Sequence, residues 1–290
     1  MIKSLSLVWL GTLLSLPVGL AQDIPTTPLD RSLPEGVEAH EGIVYVVRGA
    51  DRELALDLYR PAGVDKSEAL PTVVLIHGGG WFQGSRESFQ PLAMQLARQG
   101  YVTATISYRL SGEAVFPAAL DDCQSAIAFL EESASDFGID PDRIGVMGLS
   151  AGGHLAALLA VVDPAIRAAV PMGAQTDLQS ERIAELSRAP QNPHYRPFLG
   201  GTIDEVPEQY RAASPFAHLD ASDPPFLFLS GELDDPSTHA DRFRQKCDEL
   251  GIEQSVYLIP DAPHAFAGRE PFFSQMMAKL LPFFATHLRD

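Results

Sequence analysis

A chain of 290 residues, 46% hydrophobic and 20% charged, suits one large α/β domain or two small ones, and no long tract has the composition of a disordered segment. The formal net charge of −17 argues against nucleic acid and anionic membrane surfaces as partners. It also disfavours an anionic polymer as substrate unless a local basic patch intervenes.

The N-terminus has the pattern of a targeting segment. Met1-Ile2-Lys3 is positive, Leu5 to Leu16 is apolar but short for a bilayer span, and Gly19-Leu20-Ala21 offers small residues to a signal peptidase. The expectation is a signal peptide over residues 1–21 and an exported mature protein. Loss of Lys3 leaves 20 basic against 38 acidic residues, a charge of −18. Residues 22–40, Pro-rich and polar, read as an N-terminal arm before a domain over 41–290.

Within that domain, residues 43–48 and 53–59 are β-rich runs around Gly49-Ala50-Asp51-Arg52, a hairpin pattern. Residues 72–77 form a continuous apolar run, as expected of a strand buried on both faces. A helix over 89–99, a strand over 101–107 and a helix over 117–132 follow. Next come a strand at 143–147, a helix starting at Ser150 with Leu155, Leu158 and Leu159 on its apolar face, and a strand at 166–172. Residues 174–222 break the rhythm with Pro190, Pro193, Pro197, Pro207, Pro215 and Gly200-Gly201. They read as a cap-like insertion with two or three short helices. A strand at 225–230, a helix at 237–250, a strand at 254–259 and a closing helix at 271–287 complete the chain. Alternating strands and helices predict an α/β fold with a mostly parallel sheet and helices on both faces.

Chemistry concentrates in two glycine-rich turns. Gly148-Leu149-Ser150-Ala151-Gly152 fits G-x-S-x-G between a predicted strand and helix, where a sharp turn tolerates only small neighbours around the serine. His77-Gly78-Gly79-Gly80-Trp81 follows a buried strand and offers backbone N–H groups to a ligand. The N–H groups of Gly79, Gly80 and Ala151 are the candidate oxyanion donors, with Trp81 N–H as a substitute for one of them. His77 precedes the serine and reads as a brace for its loop.

On these motifs the chain resembles an α/β-hydrolase of the esterase/lipase type, and more narrowly the secreted bacterial carbohydrate esterases of the acetylxylan and feruloyl esterase group. Leu56-Asp57-Leu58-Tyr59-Arg60-Pro61, Ser107-Tyr108-Arg109-Leu110, Pro117 to Asp122, Ala213-Ser214-Pro215, Pro224 to Leu227 and Pro263-His264-Ala265-Phe266 carry the resemblance further. It implies a triad in the order serine, acid, histidine. Gly231-Glu232-Leu233-Asp234-Asp235 follows the strand at 225–230, and the resembling families place the acid three residues after the glycine, at Asp234. Asp235 is the adjacent alternative, and whichever is not the acid becomes a helix N-terminal charge. His264, after the next strand, is the expected base. His287 falls in the closing helix, His154 reads as a core histidine, and His194, His218 and His239 have no supporting spacing.

Ester hydrolysis without cofactor or metal is the implied activity. Acetyl or feruloyl esters of carbohydrate lead, and Trp81 is expected to wall a short acyl site. A general short-chain carboxylesterase, an amidase or peptidase-like hydrolase, and a non-catalytic binding module are the rivals. Cys123 and Cys247 are expected to be buried free thiols.

Overall fold

Side chains alternate across a strand, so a strand covered on both faces must be apolar throughout. The run at Leu70–Ile76 meets that demand, and the computed structural model, which describes residues 25–289, places it at the centre of a sheet. The expected signal peptide over 1–21 lies outside the described residues.

In chain order the sheet strands are β1 (Val37–Arg48), β2 (Arg52–Pro61), β3 (Leu70–Ile76), β4 (Val102–Ile106), β5 (Ile139–Leu149), β6 (Ile166–Met172), β7 (Phe226–Gly231) and β8 (Gln254–Ile259). They pair in the order β1-β2-β4-β3-β5-β6-β7-β8. The β1–β2 and β2–β4 pairs are antiparallel, and the other five are parallel. The principal helices are α1 (Gln90–Arg98), α2 (Ala118–Glu132) and α3 (Ala151–Val162). Then come α4 (Glu181–Arg188), α5 (Tyr195–Leu199), α6 (Pro207–Ala212), α7 (Pro215–His218), α8 (Asp241–Leu250) and α9 (Phe272–Leu288).

Strand alternation divides the core in two. Val74, Ile76, Val146, Phe226 and Phe228 face one layer, built by α2, α3 and α8. Val73, Leu75, Met147, Leu227 and Leu229 face the other, built by α1 and α9. Because β4 and β5 flank β3 on opposite sides, the order reverses at β3, and the loops after β3 and β5 leave adjacent carboxyl ends. Such a switch point opens a crevice for ligands.

A buried carboxylate fixes the region beside this crevice. Asp122 of α2, with no exposed side-chain surface, accepts from Arg48 Nε at 2.8 Å and Arg109 Nε at 2.8 Å. It also accepts from the Arg109 backbone N–H at 2.9 Å. Arg109 and Asp122 both lie in the stretches that carry the family resemblance. Removing one member would strand a charge out of water.

Several boundaries differ from expectation. β1 begins at Val37, inside the expected arm, and Thr27–Pro28 of that arm pairs antiparallel with Arg269–Glu270. β5 begins at Ile139, four residues before the expected strand at 143–147. Residues 174–222 hold four short helices, α4 to α7, where two or three were expected. The helix expected over 237–250 is split: Pro236–His239 is a 3-10 turn, and Ala240, at φ 58°, breaks the helical path before α8. Ser230 Oγ donates to the Thr238 carbonyl at 2.9 Å and holds that turn against β7.

Phe243 of α8 is fully buried, edge-on to Phe226 and Phe228 at 5.1 and 5.5 Å between ring centroids. Phe243→Ala is expected to cost about 3–5 kcal/mol of stability by cavity formation. Chemical denaturation measures this, and an unchanged midpoint would contradict the packing.

Candidate active site

The turn from β5 into α3 is set by clearance. A side chain at Gly152 would collide with the Ile76 carbonyl at the end of β3, and one at Gly148 would collide with the Gly152 backbone. Ser150 between them sits at φ 59° and ψ −120°, a conformation costing about 1–3 kcal/mol for a residue with a side chain. Its backbone N–H donates to Met172 O at 2.8 Å, which ties the turn to β6. The result is a serine held out at the head of α3.

The loop after β3 runs alongside, with positive φ at Gly79 (119°), Gly80 (60°) and Trp81 (64°). Among the described residues, the N–H groups of Gly79, Gly80 and Ala151 have no protein acceptor outside regular helix and strand ladders. All three residues line the same cavity as Ser150. His77 braces the loop as expected: its ring stacks on Tyr108 at 4.3 Å, and its Nδ1–H donates to Gly78 O at 2.8 Å. Burial lowers its pKa, against the opposing effect of the Gly78 hydrogen bond, and so favours the neutral ring.

Trp81 also lines the cavity, but its indole is 4% exposed and stacks on Phe198 of α5 at 4.5 Å. The indole Nε1–H donates to His154 Nδ1 at 3.2 Å. His154 Nε2–H in turn donates to Ala213 O at 2.7 Å, which fixes its neutral tautomer. Burial pushes the His154 pKa down to about 4. His154 is thus a core histidine, and the chain Trp81–His154–Ala213 couples the glycine loop to residues 174–222. The indole packs into that segment and does not stand as a free acyl wall.

The two adjacent aspartates separate clearly. His264 Nδ1–H donates to Asp234 Oδ2 at 2.7 Å, and the Asp235 N–H donates to Asp234 Oδ1 at 2.7 Å. Burial works to raise the Asp234 pKa, but the hydrogen bond and charge of His264 outweigh it and the net shift is downward. Asp235 instead caps the turn at Pro236–His239, accepting from Ser237 N–H at 2.9 Å and Ser237 Oγ at 2.6 Å. It also pairs with Arg182 at 3.0 Å. The Ser237 contacts, aided by Arg182, pull its pKa down to about 2. For His264, the Asp234 hydrogen bond raises the pKa against the opposing effect of burial.

Ser150, Asp234 and His264 line one open cavity of about 660 Å³. No hydrogen bond joins Ser150 to His264 among the described residues, a contact that often tightens only with substrate bound. Gln175, His194 and Tyr195 also line the cavity. Sequence reasoning missed them, because no motif surrounds these three residues and only folding brings them here. His194 stacks on Phe82 at 5.4 Å, and burial lowers its pKa. His218 donates to Ala212 O at 2.9 Å, His239 sits in the turn at Pro236–His239, and His287 faces Glu253 at 3.3 Å. None of the three lines the cavity. Cys123 and Cys247 are buried free thiols.

The BD-FAE family model matches residues 56–246, well over half of the chain. The chain belongs to the BD-FAE family. The match takes in Ser150 and Asp234 and ends before His264. Among curated relatives of this BD-FAE member, Esterase LipC of Mycobacterium tuberculosis is 33% identical over 239 residues, covering 76% of this chain and 59% of its own length. Esterase LipQ of the same organism is 30% identical over 245 residues, covering 79% and 58%. The chain therefore spans under three-fifths of the length of these relatives. Among solved structures, the bifunctional GH43-CE protein of Bacteroides eggerthii superposes with a TM-score of 0.74 at 25% identity, covering 86% of this chain and 38% of that one. A propionate-bound thermophilic esterase of Thermogutta terrifontis superposes with a TM-score of 0.70 at 26% identity, covering 87% and 95%. The architecture is the α/β-hydrolase fold.

In an NMR titration the His264 imidazole is expected to titrate above its ordinary 6.5, and Asp234→Asn to bring it down. Titration below 6.5 in the unaltered protein would contradict the Asp234 contact.

Proposed function

We propose that the protein is an exported serine hydrolase of short-chain carboxylic esters, with acetyl or feruloyl groups on carbohydrate as its substrates. The observation that carries the reading is one cavity that holds Ser150 at its strained turn, the Asp234–His264 pair, and amides free to bind an oxyanion. The charged, apolar and small-residue order of residues 1–21 supports export.

In this mechanism His264 Nε2 takes the proton from Ser150 Oγ as the hydroxyl attacks the ester carbonyl. Asp234 holds the imidazole with its proton on Nδ1 and stabilises the imidazolium. The N–H groups of Gly79, Gly80 and Ala151 receive the tetrahedral oxyanion, worth about 3 kcal/mol per donor. His264 then protonates the leaving alcohol, and water, activated by the same imidazole, releases the acid from the acyl-serine. Each step uses the chain's own residues and water.

The esterase relatives support the activity, and the GH43-CE neighbour supports a carbohydrate substrate. A second reading, a general short-chain carboxylesterase, is favoured by Ethyl acetate hydrolase of Pseudomonas putida. That protein is 29% identical over 236 residues, covering 73% of this chain and 71% of its own length.

Ser150→Ala is expected to abolish ester turnover and fluorophosphonate labelling with unchanged circular dichroism; retained turnover would remove the nucleophile. Asp234→Asn is expected to lower kcat by about 10⁴-fold, since it disturbs the imidazole tautomer. Asp235→Asn keeps an N-cap acceptor and is expected to have little effect; equal losses in the two variants would reassign the acid.

The pH profile follows from His264. The base must be neutral and its pKa is raised, so kcat/KM is expected to fall as pH drops, with a midpoint above 6.5. A profile flat down to pH 5 would count against His264 as base.

A further inference from the structure

A second cavity, of about 100 Å³, adjoins the main one across Gly78, Ser88 and Leu149. Its other walls include Phe89 and Leu92 beside the glycine loop, Ala267 and Gly268 beyond His264, and Leu29 of the N-terminal arm. Leu29 is half-buried and packs against the apolar cluster that contains Phe89, Leu92 and Ala267.

The arm is held on both sides of this leucine. Thr27–Pro28 pairs with Arg269–Glu270, and Arg269 Nη1 donates to Thr26 Oγ1 at 3.2 Å. Beyond Leu29, the Arg31 guanidinium donates to the Glu87 carbonyl. The arm thus bridges the segment after the base and the segment after the glycine loop, and Leu29 fills the gap between them.

We propose that this cavity seats the acyl chain of the substrate and that Leu29 sets the length it accepts. The proposal rests on the esterase reading above and names the acyl class for that site. Position supports it first. A Cβ built on Gly78 would lie 3.3 Å from the Ser150 Cβ, and Leu149 immediately precedes the serine, so the cavity borders the nucleophile. Chemistry supports it next. The leaving alcohol must reach His264 Nε2 for its proton, and a sugar alcohol needs room and polar partners. The main cavity of about 660 Å³, with Gln175 and His194 on its walls, supplies both. The apolar acyl tail belongs in the smaller, mostly apolar space. Size then limits the tail. An apolar cavity of about 150 Å³ holds benzene, so one of about 100 Å³ takes an acetyl to butyryl chain and excludes a feruloyl ring, which narrows the two acyl groups proposed above to acetyl.

Specificity constants of the full-length enzyme for p-nitrophenyl acetate, butyrate, octanoate and ferulate test this, alongside Leu29→Ala and Leu29→Phe. The unaltered enzyme is expected to prefer acetate and butyrate. Leu29→Ala is expected to raise the octanoate-to-acetate ratio about tenfold or more, and Leu29→Phe to lower the butyrate-to-acetate ratio, since each methylene seated or excluded carries about that weight. Opposite shifts in the two variants would support Leu29 as the gauge. Equal losses on every ester in both variants, or unchanged ratios, would overturn it while leaving the esterase reading intact. An unaltered enzyme that neither labels with fluorophosphonate nor hydrolyses p-nitrophenyl acetate would overturn the esterase reading and this proposal with it.

Discussion

The site depends on how closely the ends of β3 and β5 approach each other. The two strands pair in parallel register through Ile76 and Gly148. At that point the first turn of α3 presses on the Ile76 carbonyl, with no room for a Cβ at Gly152. The contact brings the serine turn and the glycine loop to the wall of one cavity. A wider gap would leave Ser150 aimed correctly but separate Ala151 N–H from those of Gly79 and Gly80. Strain at Ser150, of about 1–3 kcal/mol, is sustained because β6 and α3 over-determine the turn. The burial of Val146, Met147, Leu155 and Leu158 on both sides of the turn supplies that rigidity.

A second constraint holds the glycine loop in place. Three residues in a row with positive φ would sample many conformations without a tether. Tethers come from three directions. Ser111 N–H donates to Trp81 O at 2.8 Å from the loop after β4, which the buried Asp122 network fixes in turn. Tyr108 OH donates to His77 O at 3.0 Å from beneath. The Trp81–His154–Ala213 chain reaches up to residues 174–222. With its pKa near 4, His154 remains neutral through the range in which His264 titrates, so the tether holds while His264, the proposed base, changes charge. Two imidazoles therefore serve opposite ends: one buried and fixed in a single tautomer, the other half-exposed and free to exchange a proton.

The extent to which residues could be read from the chain follows from where their constraints originate. Ser150, the glycines around it and the 77–81 loop were legible because their requirement is local: a tight turn permits only a small residue at a fixed spacing. The mostly parallel sheet with helices on both faces followed from strands alternating with helices, whereas the order in which the strands pair is visible only in the structure. The family resemblance placed the acid at Asp234, but the local pattern left Asp235 open, since both are carboxylates at the end of one strand. Ser237 and Arg182 decide between them by occupying Asp235, and Arg182 comes from a helix more than fifty residues away. The break at Ala240 was not legible because no glycine or proline stands there, and the turn before it is held to β7 by a tertiary hydrogen bond from Ser230 to the Thr238 carbonyl. Gln175, His194 and Tyr195 lay beyond reach for the same reason.

The parts that escaped the sequence rhythm are also the parts that shape the cavity. Sheet and helices present Ser150, Asp234 and His264 at strand ends, where packing on two faces leaves little freedom. The arm before β1 and the segment between β6 and β7 carry no such periodicity, yet both supply cavity walls, the arm through Leu29 and the segment through Gln175, His194 and Tyr195. Phe198, Leu199 and Tyr210 of that segment are buried in the core, but Leu29 and His194 are only partly buried. Leu29 and His194 can therefore vary independently of the catalytic groups. On the proposed reading, chemistry is fixed where sterics are unforgiving, at the turns around Ser150 and Gly79, and selectivity falls to the irregular segments that wall the cavities.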